Sequence, residues 1–184
     1  MHKFEIKDGF VKLVIGWLVV FMVRLIPFRP PNIEPIMSTL MPFSKKYGFG
    51  GGFFFAFLSI VIFDLAVAQF GIWTLVTAIA YGAIGFASGL YFKNRENSAL
   101  EYLKFSVIAT LIYDAITGPG MTYLFGHSLS FQAALIGQIP FTIMHLMGNA
   151  TLALTLSPAI YRWVVANPKL EVSILFSKLA FSKR

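Results

Sequence analysis

Gln138-Ile-Pro-Phe-Thr-Ile-Met-His-Leu-Met-Gly-Asn149 decides how this chain is read. Within it Gln138, Thr142, His145 and Asn149 are spaced four, three and four residues apart. At about 100° per residue they fall within an arc of roughly 60° on one helix face. The residues around them are Ile, Leu, Met, Phe, Ala and Gly. A helix that is apolar on most sides turns such a stripe toward a bundle interior, a cavity or a ligand, because lipid cannot satisfy those groups.

The surrounding chain supplies the membrane. Of 184 residues, 57% are hydrophobic and only 12% are charged, and the mean hydropathy is +0.74. Soluble domains carry about twice that charge fraction. Several apolar runs approach the roughly 20 residues needed to cross a bilayer. The expectation is one all-α, polytopic domain with six transmembrane helices. There is no Cys, hence no disulfide framework and no thiol chemistry. The apolar run near the start is interrupted by Arg24 and is followed by no small-residue cleavage site, so it reads as a retained helix. A net charge of +7 does not point to nucleic acid, because the basic residues flank apolar spans and form no separate patch.

Residues 1–8 are a polar lead, 9–166 the membrane domain and 167–184 a basic, amphipathic tail. The first span is predicted over 9–26 and ends at Pro27, Pro30 and Pro31. The second is short. It begins at Asn32 as N-cap with Glu34 in the first turn, is bent by Pro42, and stops at Lys45-Lys46-Tyr47-Gly48. The third follows the Gly50-Gly51-Gly52 run to about Ala68, and Gln69-Phe70-Gly71 turns the chain. The fourth covers 72–92 with Ala78, Gly82, Gly85 and Gly89 on one side, a small-residue stripe that permits close helix approach in lipid. The fifth covers 101–117 and breaks at Gly118-Pro119-Gly120; the sixth starts after Ser130 and runs to about Val165.

Six crossings put both termini on one side. That side would hold thirteen of the fifteen Lys and Arg, leaving only Arg24 and Arg29 opposite, so both termini are expected to be cytoplasmic. The polar residues then gather toward the outer face: Asn32 and Glu34 in the first outer loop, Trp73, Thr77 and Tyr81 on the fourth span, Tyr113 and Asp114 on the fifth, and Gln138, Thr142, His145 and Asn149 on the sixth. This asymmetry suggests an outward-facing pocket, since a channel needs polar lining through its full depth.

Each residue also has a plainer reading. Asp64 reads as solvated or paired with Arg24 or Arg29. Trp73 is commonly an interfacial belt residue. Asp114 reads equally as structural and as a ligand contact. Glu34 is most simply a first-turn anion. A lone His is usually a satisfied buried group, but His145 shares its face with three other polar residues. The glycine run 50–52 lacks the Lys-Ser/Thr of a nucleotide loop. No hydrolase or metalloprotease motif is present, and Asp64, Asp114 and His145 make an acid–base set only if the fold gathers them. No cofactor is indicated. Three readings remain: a binding protein that depends on a partner for energy, a small membrane enzyme acting on a lipid headgroup, and a structural or assembly protein whose stripe only glues helices.

Arg24-Leu-Ile-Pro27, Asn32-Ile-Glu-Pro-Ile-Met37, the glycine-rich entry to the third span with Asp64, and Asp114 with the Gly-Pro-Gly turn resemble the S component, the substrate-capture subunit, of energy-coupling factor (ECF) transporters. The resemblance covers roughly residues 10 to 165. It implies a multi-pass protein of a prokaryotic cell membrane that binds a vitamin or similar micronutrient near the outer face. A membrane T subunit and two cytoplasmic ATPase subunits would drive uptake. S components usually carry Ala-x-x-x-Ala in the first helix for the T subunit. Here Gly16 is the only interior small residue of Val14-Ile-Gly-Trp-Leu-Val-Val20, so Gly16 is the expected partner contact. Tyr, Trp, Gln, Asn and His together suit a planar heteroaromatic or amide-bearing solute, a class that spans flavins, thiamine-like compounds, queuosine precursors and cobalamin.

Overall fold

A computed structural model describes residues 6–28, 33–124 and 130–174. Helix α1 is Ile6–Arg24, α2 Pro35–Ala66, α3 Ile72–Phe92, α4 Ala99–Ala115, α5 Met121–Leu124 and α6 Phe131–Ile160. A π-turn, Ile116–Gly120, joins α4 to α5; a second, Tyr161–Val165, extends α6 and leads to a 3₁₀ turn at Pro168–Leu170. No strand occurs among the described residues, as the all-α reading expects. By length and composition, Pro35–Ala66, Ile72–Phe92 and Phe131–Val165 can each cross a membrane.

Helix α2 starts at Pro35 with Glu34 as its N-cap, two residues after the expected N-cap, Asn32. Proline at the first helical position is favoured because its missing N–H would be unsatisfied there anyway. Asn32 lies outside the described residues. Within α2 the non-helical residue is Gly48, at φ 73° and ψ −171°, not Pro42. The stacking of Phe43 on Phe55, with ring centroids 4.4 Å apart, shows what Gly48 does. Twelve residues of straight helix would separate those rings by about 18 Å. The chain therefore reverses at Gly48 into two arms, 35–47 and 49–66, which is the break expected after Tyr47.

The glycine stripe of α3 seats it on the second arm. A Cβ at Gly85 would overlap the Gly52 carbonyl, one at Gly89 the backbone of Phe49, and one at Gly82 would lie 2.8 Å from Phe53. The Ser44 hydroxyl donates to the Gly85 carbonyl at 3.2 Å, so both arms meet α3 there. Ser98 and Ser130 cap α4 and α6 by accepting from the amides of Glu101 and Ala133, at 3.2 Å each.

Gly16 is buried, and a Cβ there would sit 2.6 Å from the Phe43 ring and 2.9 Å from Phe55. Gly16 thus admits the aromatic stack of α2 to the core of the chain. The exposed side of α1 carries Phe10, Leu18 and Met22.

At the opposite end from Arg24, Lys12 is buried and donates to the Val165 carbonyl at 3.1 Å and to Glu171 at 3.3 Å. It straps residues 166–174 beneath α1. We expect Lys12→Met to release this segment, raising tryptic cleavage after Lys169 about fivefold for the loss of roughly 1 kcal/mol of hydrogen bonding. An unchanged cleavage rate by mass spectrometry would show that the strap is held by something else.

Candidate functional site

The stripe on α6 meets a second stripe on α4. His145 Nδ1 lies 2.7 Å from Asp114 Oδ1, and Asn149 Nδ2 donates to Thr110 Oγ1 at 2.8 Å. Asp114 and Thr110 are four residues apart, as are His145 and Asn149, so the two antiparallel helices pair in register. All four side chains are buried. One turn toward the start of α6, the Gln138 amide donates to Thr142 at 3.3 Å. Tyr113 packs on Tyr81 of α3 at 4.3 Å between ring centroids and meets His145 edge-on at 5.8 Å. Phe141 closes the other side of the imidazole at 5.7 Å.

Half of the seam's hydrogen-bonding capacity is unused. Asp114 Oδ2, His145 Nε2 and Asn149 Oδ1 are buried without partners. The two oxygens are acceptors, and His145 Nε2 is an acceptor in the neutral Nδ1–H tautomer and a donor in the imidazolium. Buried polar atoms left unpaired cost about 1–3 kcal/mol each, and such atoms call for an explanation.

The groove beside this seam has a volume of about 240 Å³ and is lined by Asp114, Gln138 and Thr142 with Leu111, Pro119 and Ile139 among its apolar walls. Small-molecule sites run from roughly 300 to 1,000 Å³, so the groove alone is smaller than such a site.

A second cluster caps the neighbouring end of the bundle. Arg24, the last residue of α1, pairs with Glu34 at 3.6 Å and with Asp64 at 3.9 Å, and its guanidinium lies 3.9 Å from the Phe63 ring centre. Asp64 also accepts from the Thr74 hydroxyl at 2.7 Å. Asp64 is thus paired with Arg24, as one sequence reading held, and is not part of an acid–base set with Asp114 and His145. Arg24, Glu34 and Asp114 all act electrostatically on Tyr81 and Tyr113, so the Arg24 cluster and the seam are neighbours.

Of the residues singled out from sequence, Glu34, Tyr81, Tyr113, Asp114, Gln138, Thr142, His145 and Asn149 converge in this region. Thr77 is buried but its hydroxyl bonds its own helix at Trp73. Trp73 is exposed at the first turn of α3 and does not reach the seam. Thr110 is the addition, and Arg24, read from sequence as a partner for Asp64, joins it. Thr110 was legible as the i−4 neighbour of Asp114, and Arg24 as a cation inside an apolar run. Gly118-Pro119-Gly120 does not end the helical path, contrary to expectation. Pro119 has no amide for the Ala115 carbonyl four residues back, and the π-turn closes by i→i+5 bonding instead. Among the described residues no group of three or more His, Asp or Glu could hold a metal ion.

Compared with known proteins, residues 11–162 match the family model described as "ECF-type riboflavin transporter, S component". No curated protein and no solved structure matches the chain.

Proposed function

The chain belongs to the ECF-type riboflavin transporter S component family, and from that premise we propose that it captures a planar heteroaromatic vitamin at the outer face of a prokaryotic cell membrane. The family is one of transporter subunits that bind substrate, not of enzymes. The observation that carries the finer reading is the α4–α6 seam, where Asp114, His145 and Asn149 hold three unpaired polar atoms beside a groove lined by Gln138 and Thr142. A riboflavin-like solute offers a ring N–H, ring carbonyls and side-chain hydroxyls to such atoms and an aromatic face to Tyr81 and Tyr113. Six crossings with cytoplasmic termini, read from the lysine and arginine distribution, put this region outward. The cytoplasmic side would then meet a T subunit and two ATPase subunits, which supply the energy.

Mass spectrometry of small molecules released from detergent-purified protein tests the reading, together with riboflavin binding followed by quenching of flavin fluorescence. One heteroaromatic metabolite near one per chain is the expected result. A protein that carries nothing, and whose melting temperature no member of a vitamin panel shifts, would overturn it. Removing the Asn149 amide should cost about tenfold in affinity, the equivalent of one buried hydrogen bond.

A further inference from the structure

The π-turn between α4 and α5 has a use that its sequence does not announce. Closing by i→i+5 bonds, it brings Gly118 against α6. A methyl group on Gly118 would overlap Gln138 Oε1 and lie 2.6 Å from Gln138 Cδ and 3.3 Å from Nε2. The carboxamide of Gln138 therefore occupies the space that a side chain at Gly118 would fill, oxygen end first. From there it reaches Thr142 Oγ1 at 3.3 Å and lines the same groove as Asp114. The turn is held in place by the Thr122 hydroxyl, which donates to the Gly118 carbonyl at 3.2 Å, and by Thr117 donating to the Tyr113 carbonyl at 2.9 Å.

We infer that Gly118 is a positioning residue for substrate: it admits the Gln138 amide to the groove wall, and any side chain at 118 expels it. The inference rests on the proposed capture of a heteroaromatic solute by this groove. Its chemistry is directional. An amide is the one neutral side-chain group in the groove that both donates and accepts at two adjacent atoms. It therefore reads the donor–acceptor order along the edge of a ring. A Gln138 swung into lipid or solvent reads nothing. The clash at Gly118 is with the free end of a flexible side chain, not with backbone. The fold can relieve it by moving Gln138 alone, which separates the loss of recognition from the loss of structure.

The test is a double-mutant cycle with Gly118→Ala, Gln138→Ala and the pair, read in two ways. In riboflavin binding, Gly118→Ala and Gln138→Ala should each weaken affinity about tenfold, and the pair no more than either alone. In melting without ligand, Gly118→Ala should lower the transition by about 2–4 °C in the parent and leave it unmoved in the Gln138→Ala background. Equal shifts in both backgrounds would overturn the inference, because Gly118 would then act on the fold and not through Gln138. Additive losses of affinity would overturn it too. If the parent chain ignores riboflavin, the substrate reading fails, while the melting cycle still decides whether Gly118 holds Gln138.

Discussion

Gly85→Ala is expected to lower the apparent melting temperature by about 6–12 °C, from roughly 3 kcal/mol of overpacking. The size follows from what the new methyl group meets. At Gly85 it is backbone, the Gly52 carbonyl, with the Phe53 amide nitrogen 3.0 Å away. No rotamer change relieves that contact, so α3 must back away from the second arm of α2. Doing so breaks the bond from Ser44 to the Gly85 carbonyl as well. Gly71→Ala is the control. Gly71 sits in extended backbone at φ −162° with nothing within 4 Å of an added Cβ, and its replacement should leave the melting temperature unchanged. If the two variants melt alike, α2 and α3 do not cross at backbone contact.

The second large effect falls on Asp114 and His145. Either single alanine leaves its partner buried and unpaired, which costs about 3–5 kcal/mol when the stranded group is charged. His145→Ala is the harsher of the two, since Asp114 Oδ1 then joins Oδ2 without a hydrogen bond. Replacing both at once by leucine removes the pair and fills the space with apolar volume, a change that is often neutral for stability. The expected pattern is two unstable single variants, a double variant that melts near the parent, and no riboflavin binding by any of the three. A double variant that binds like the parent would place the pair outside the site. Singles that melt like the parent would mean that the pair is solvated.

The sequence carried one side of the site more clearly than the other. Gln138, Thr142, His145 and Asn149 announce themselves because a polar residue every three or four positions stands out against Ile, Leu and Met. Thr110 and Asp114 follow the same spacing, but Thr hydroxyls commonly bond their own helix, so a pair of them carries less signal than a row of four. The glycines of α3 were legible as a close crossing, because lack of a side chain is a local property with one common use in lipid. Gly16 shows the limit of that property: a small residue tells that something comes close, here Phe43 and Phe55 of the same chain, and says nothing of a partner. Trp73 sits one turn before Thr77 on α3 but faces outward, which only the rotation of the helix in the bundle decides. Gly118-Pro119-Gly120 reads as a stop in any local scheme. That it winds on as a π-turn follows from Pro119, whose missing amide leaves the i→i+5 closure, and the Gln138 carboxamide twenty residues on packs against Gly118.

Gly48 turns the chain on a single residue, and that join has no slack. An extra residue inserted there would advance the second arm of α2 by about 100° around its axis and 1.5 Å along it. Gly52 would leave Gly85, and Asp64 would leave Arg24, in the same step. The two halves of α2 therefore behave like gears keyed to one shaft, with residue count as the phase that aligns them. The polar loop at 93–98 also carries contacts, Lys45 to the Arg95 carbonyl and Tyr102 to Asn97, but none of them brings two helix backbones together as Gly52 and Gly85 do. A short indel at Gly48 would do more damage than most single substitutions in the core, although it removes no atom from either the seam or the groove.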